Sequence, residues 1–140
     1  MKYSLRDNRG FSLIEIMIVM IIIGLMVGLV GPKFIGQLGK AEQKTAKAQI
    51  EMLMTALDAY RLDVGSYPSQ QEGLEALVAN PGVDGWAGPY LKKNKIPDDP
   101  WKHPYLFQSP GEHGDVDIYS LGADNKEGGE GKDADVNSWD

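Results

Sequence analysis

Residues 11 to 30, "FSLIEIMIVMIIIGLMVGLV", are apolar at almost every position, and Glu15 is the only charge among the twenty. A run of that length matches the ~20 residues that a helix needs to cross a bilayer core. Beyond "GPKFIGQLGK" the pattern changes. Apolar residues at Ile50, Leu53, Leu57, Tyr60 and Val64 recur at spacings of 3, 4, 3 and 4, and Met54 widens the stripe. That is one face of a helix. The other reading of the stripe, a coiled-coil seam, would have only two heptads, which is short for one. Together the two patterns predict one long helix over about residues 11–63.

After Val64 the periodicity breaks at "GSYPS", a turn. "SQQEGLEALVAN" predicts a short helix, with Ser69 and Glu72 as a capping box and Leu74, Leu77 and Val78 as its apolar face. "GWAGPYLKKNKIPDDPWKH" is rich in proline and glycine and reads as an irregular loop, pinned to the core by Trp86, Tyr90 and Trp101. "PYLFQ" and "DVDIYSL" predict two short strands around the "SPGEHG" turn. In the second, Val116 and Ile118 alternate with Asp117 and Tyr119. The expected fold is α+β: a long helix backed by a small antiparallel sheet. The expected parts are a polar N-terminal stretch at 1–10, a membrane helix at 11–32, its amphipathic continuation at 33–64 and a globular part at 65–140.

Charge sharpens the N-terminus. "MKYSLRDNRG" carries Lys2, Arg6 and Arg9 against Asp7, so its side chains sum to +2. Positive flanks stay cytoplasmic, which points the far end of the apolar helix outward. An ordinary signal peptide fits poorly, because the apolar run is long, no A-x-A-like site follows it, and a glutamate sits inside it. A lone carboxylate in a span costs roughly 2.5–3.5 kcal/mol on insertion scales. Either the stretch is not a span, or Glu15 has a partner. The join at 24–39 is also unusual: Gly24, Gly28, Gly31, Gly36 and Gly39 surround Pro32. Proline removes a backbone donor and crowds the preceding turn. Pro32 reads either as a kink at the membrane surface or as a stretch that loosens on assembly. Gly24 and Gly28 form a G-x-x-x-G pair that permits close helix contact.

"RGFSLIEIMIVMIIIGLMVG" resembles the N-terminus of type IV pilins and type II secretion pseudopilins. The resemblance implies cleavage between Gly10 and Phe11 by a membrane-embedded prepilin peptidase, followed by methylation of the new amine at Phe11. Glu15 is then the fifth residue of the mature chain. Residues at i and i+4 share a helix face, so Glu15 can neutralise its own new amine or that of a neighbouring subunit. A charge in hydrocarbon is tolerable when paired. The carboxylate thus aligns an incoming subunit with one already in a filament. The family also favours the loosening reading of Pro32.

The C-terminal end, "LGADNKEGGEGKDADVNSWD", holds six acids and two lysines from Asp124 onward. It carries too little apolar material to fold alone. It reads either as a solvated tail or as a calcium site, since calcium takes 6–8 oxygen ligands with loose geometry. "DADVN" opens like an EF-hand loop, but Ser138 stands where that loop needs glycine. Asp124 and Asp135 are the candidates to clamp an ion across the bend at Gly128, Gly129 and Gly131. The chain has no cysteine, and a metal is one alternative to a disulfide in a small exported domain.

"DPWKHPYLFQSPGEHGDVDIYSLGADNKEGGEGKDADVNSW" closely resembles the C-terminal region of the major, G-type pseudopilins of type II secretion. With "GWAGPYL" and the N-terminus, the resemblance covers nearly the whole chain. It implies a type IV pilin-like fold with a Ca2+-bound loop at 121–140. The ligands by analogy are the side chains of Asp124 and Asp135 with main-chain oxygens near Leu121, Lys126 and Val136; Asp133 is a rival ligand. Asn125 stands where the family often has glycine, and asparagine also tolerates left-handed backbone. The implied function is structural rather than enzymatic. Subunits anchored in the inner membrane, with the C-terminal domain in the periplasm, polymerise into a helical filament that drives folded proteins outward. The implied partners are further copies of the chain, minor pseudopilins, an inner-membrane platform with its ATPase, the prepilin peptidase and an outer-membrane secretin.

Three rivals remain. A type IV pilin for adhesion, motility or DNA uptake would often close a C-terminal loop with two cysteines. A membrane-anchored enzyme would need a catalytic constellation, and His103 and His113 both fall in turn-like surroundings with no nucleophile elbow, phosphate loop or zinc spacing. A sugar-binding module would use Trp86, Trp101 and the tyrosines, which fit loop anchors better. Net charge is −6, becoming −8 once a leader of +2 is lost. No long basic run exists, so nucleic acid is not an expected partner.

Overall fold

The computed structural model describes residues 10–140. The expected leader, apart from Gly10, lies outside the described residues. Helix α1 runs Leu13–Val64 and carries Pro32 within it, close to the span expected from the two hydrophobic patterns. The chain divides into two compact units, one ending at Gln37 and the other comprising Leu38–Asp140.

In the first unit, α1 is long and apolar enough to cross a membrane, and none of its most apolar window is buried. Ile16, Ile18, Ile22 and Ile23 are each at least half exposed. A surface this apolar has no partner among the described residues of the unit.

In the second unit the predicted stripe is the core. Ile50, Leu53, Leu57 and Tyr60 are at most 1% exposed, joined by Ala46 and Ala56. Met54 and Val64 are only partly buried at its margin. The stripe packs in one cluster with Leu74, Leu77, Leu91, Tyr105, Val116, Ile118 and Val136. The sheet is antiparallel in the order β1 (Leu106–Gln108), β2 (Asp117–Ser120), β3 (Val136–Asn137). Phe107 pairs with Ile118, and Ser120 pairs with Val136. β3 was not anticipated: two residues in an acidic stretch give no period to read.

Two local expectations are corrected. The capping box forms, with Ser69 N–H donating to Glu72 (2.8 Å) and Glu72 N–H to Ser69 Oγ (3.2 Å). No α-helix follows, because Gly73 takes φ 61° and only a 3-10 turn, Leu74–Leu77, forms behind it. Alternation also fails in β2, where Asp117 is buried along with Val116 and Ile118. Its carboxylate accepts from Glu112 N–H (2.8 Å), His113 N–H (3.1 Å) and lies 3.1 Å from His113 Nδ1. Burial pushes the Asp117 carboxyl up, but the His113 and Glu112 bonds outweigh it and hold it below its ordinary value. The long loop behaves as expected. Trp86 Nε1 donates to Ala76 O (2.7 Å), the Tyr90 hydroxyl to Asp63 (2.8 Å) and Trp101 Nε1 to Glu42 (3.0 Å).

Candidate functional site

At the head of α1, Ser12 N–H donates to Glu15 Oε2 (2.9 Å) and Glu15 N–H donates to Ser12 Oγ (3.3 Å). This is a capping box, legible in "SLIE" as S-x-x-E but not anticipated. It folds the carboxylate back over the start of the helix, where the aligned peptide dipoles favour negative charge. Phe11, one residue before the cap, is 85% exposed. Gly10 is exposed, and a Cβ built there meets nothing within 4 Å.

At the other end the acidic segment is folded. Asp124, exposed, accepts from Lys126 N–H on Oδ1 (3.1 Å). Asp135, half-buried, reaches across to accept from Gly128 N–H on Oδ2 (2.9 Å). Asn125 adopts φ 54°, the left-handed backbone expected of it. Gly122 is buried at φ 70°, and a Cβ there would stand 2.7 Å from Asp133 O and 2.8 Å from Ala134 O. Only glycine permits that approach. Ala123 N–H closes the neck by donating to Lys132 O (3.0 Å).

Helix α1 holds this segment from below. Gln43 Nε2 donates to Gly131 O and Ala134 O, both 2.9 Å. One turn on, Lys47 Nζ donates to Asn137 O and Asp140 O, both 2.8 Å. Beside them, Trp139 stacks on His113 at 3.9 Å between centroids and 6° between planes. The solvated-tail reading does not describe a segment with these ties.

The donor set suits a hard cation. Asp135 Oδ1 is buried without a hydrogen-bond partner, an uncompensated acceptor of the kind that a bound ion or water satisfies. Among the described residues no three His, Asp or Glu side chains gather closely enough to hold a metal. An ion here would draw on two carboxylates at most, with main-chain oxygens for the rest, a mixture that calcium accepts. Asp133 bears on the loop through its carbonyl, which packs against Gly122 and Gly129.

One trio, with Asp99 and Ser120 buried and His103 half-buried, invites an enzymatic reading. Ser120 Oγ donates to Asp99 Oδ2 (2.6 Å), and His103 Nδ1 lies 3.8 Å from the same oxygen. The carboxylate stands between serine and histidine, whereas nucleophilic catalysis needs the imidazole between them. The trio cannot activate Ser120.

A family model described as "Type II secretion system (T2SS), protein G" matches residues 33–139. The chain belongs to this family. A second model, the prokaryotic N-terminal methylation motif, matches residues 5–31. Type II secretion system core protein G of Pseudomonas aeruginosa is 47% identical, over 96% of this chain and 97% of that protein. The core protein G of Vibrio cholerae is 42% identical, over 97% and 94%. That of Escherichia coli K12 is 41% identical, over 94% and 91%. The crystal structure of the major pseudopilin from the type 2 secretion system of enterohaemorrhagic Escherichia coli matches with a TM-score of 0.61 at 32% identity. It covers 75% of this chain and 92% of that one. Family membership thus favours secretion over the type IV pilin alternative.

Proposed function

We propose that this chain is the major structural subunit of the periplasmic pseudopilus of type II secretion. The observation that carries the reading is the unburied apolar stretch of α1 up to Val30, whose only charge, Glu15, is held back at the helix start. Such a helix is stable in a membrane, or among the helices of neighbouring subunits. After cleavage behind Gly10, the methylated amine of Phe11 meets a carboxylate, its own or a neighbour's. Copies of the chain then pass from the inner membrane into a filament. A platform protein and its ATPase power that growth, minor pseudopilins accompany it, and folded proteins leave through the secretin. A deletion strain tests this: secretion of folded exoproteins should stop while surface motility persists. Loss of motility with normal secretion would restore the pilin alternative.

The acidic loop is proposed to hold Ca2+, supported by the unpartnered Asp135 oxygen. Asp135 and Asp124 would supply the carboxylates, Leu121, Lys126 and Val136 main-chain oxygens. The ion would offset repulsion among the acids, while Gln43 and Lys47 already fix the loop's far side. Thermal melting of the full chain in detergent with calcium, magnesium or chelator tests this. Identical curves would remove the ion from the account.

A further inference from the structure

Asp99 and Ser120 are 2% and 1% exposed and lie on different segments, Asp99 in the turn before β1 and Ser120 at the end of β2. Asp99 Oδ1 accepts from Trp101 N–H (3.0 Å) and His103 N–H (2.8 Å). Its other oxygen accepts from Ser120 Oγ at 2.6 Å, and Ser120 Oγ in turn accepts from Gly122 N–H at 3.3 Å. The direction of this relay is fixed. A backbone N–H can only donate, so the hydroxyl accepts from Gly122 and its single proton goes to Asp99. The relay runs from Gly122 through Ser120 to Asp99.

The relay brackets one peptide unit. Leu121 lies between Ser120 and Gly122, so both flanks of its carbonyl are tied down. Gly122 also faces the carbonyls of Asp133 and Ala134, immediately before Asp135. The neck of the acidic loop is therefore set by the turn at 99–103, outside the loop itself. A buried polar relay has to be fully satisfied to be tolerated, and when satisfied it fixes one arrangement.

We infer that Asp99 and Ser120 are positioning residues for the acidic loop, holding the Leu121–Gly122 unit in the geometry that admits a divalent cation. The inference rests on the calcium reading above. Groups that orient ligands from behind typically change metal affinity by about 10–100-fold when removed.

The test compares the full-length chain in detergent micelles with Ser120→Ala, Asp99→Asn and the double variant. Calcium affinity is measured by titration calorimetry, and melting in chelator confirms that each variant is folded. Each single substitution should weaken calcium binding about tenfold or more. The double variant should be no weaker than the worse single one, because both act through one relay. A role in stability alone would lower melting in chelator and leave calcium affinity unchanged, and that result overturns the inference. Effects that multiply in the double variant also overturn it. If the unsubstituted chain takes no calcium, the calcium reading itself fails. Hydrogen exchange at Ala123 and Gly128, whose amides bond Lys132 and Asp135, then decides. Faster exchange in Ser120→Ala supports positioning of the loop, and unchanged exchange overturns it.

Discussion

Lys47→Met removes the ammonium that ties the C-terminal segment to α1 while keeping a long apolar stem. The wild-type Nζ makes two 2.8 Å bonds, a part-buried one to Asn137 O and an exposed one to Asp140 O. A hydrogen bond from a charged donor contributes about 1.5–3 kcal/mol where water is excluded. Solvent screens the exposed one to about 0–1 kcal/mol. The part-buried one falls toward the lower end, so the loss is about 1.5–2.5 kcal/mol in total. For a folded unit of about 100 residues, melting falls by ~4–8 °C per kcal/mol. The drop should therefore be about 6–20 °C in chelator, measured on the full chain in detergent by the loss of the near-ultraviolet aromatic signal. Exchange at the Ser138 amide, which bonds Ile118 O, should quicken alongside it. Melting within 1 °C of the parent and unchanged exchange would show that the helix does not hold the loop.

Three further outcomes are expected. Saturating calcium at about a hundredfold excess over Kd should add about 2.7 kcal/mol, a rise of roughly 10–20 °C. Asp124→Ala or Asp135→Ala should abolish it and magnesium should give much less, whereas an unchanged rise in both variants would acquit these carboxylates. Asp117 has a folded-state carboxyl held below its unfolded value of about 3.9, so its stabilising contribution is full above pH ~4 and is lost as pH falls through the lower folded value. Melting between pH 3 and 5 in chelator should fall less steeply for Asp117→Asn; parallel curves would contradict this. Gly10→Val should leave the fold untouched, since a Cβ at Gly10 meets nothing, yet block maturation. Mass spectrometry should find methylated Phe11 at the start of the wild-type mature chain, and a start elsewhere would refute the assigned cleavage.

Much of this was legible because the physics is local or periodic. The 3-4 spacing of Ile50, Leu53, Leu57 and Tyr60 reports a buried helix face directly, and those four are the centre of the core. Asn125 was expected to accept left-handed backbone and does. Asp117 was misread because strand alternation assumes that a carboxylate faces water, and the two amides and a ring that satisfy it come from the preceding turn. Gln43 and Lys47 lie off the apolar stripe, and nothing in the sequence singled them out. Their partners lie 88 to 93 residues away, a pairing that no local pattern encodes. Glu15 was singled out for the cost of its charge, and its cap to Ser12 was overlooked although "SLIE" spells it.

The account turns on Glu15 as an assembly charge, beyond its part in the helix cap. Electron microscopy of filaments sheared from cells that overproduce the chain with its secretion machinery tests that most directly. Wild-type chain should give abundant thin filaments. Glu15→Leu should reach the membrane at the same level, since the cost of a buried charge is gone, and give almost none. Equal filament yield from the two would contradict the central claim.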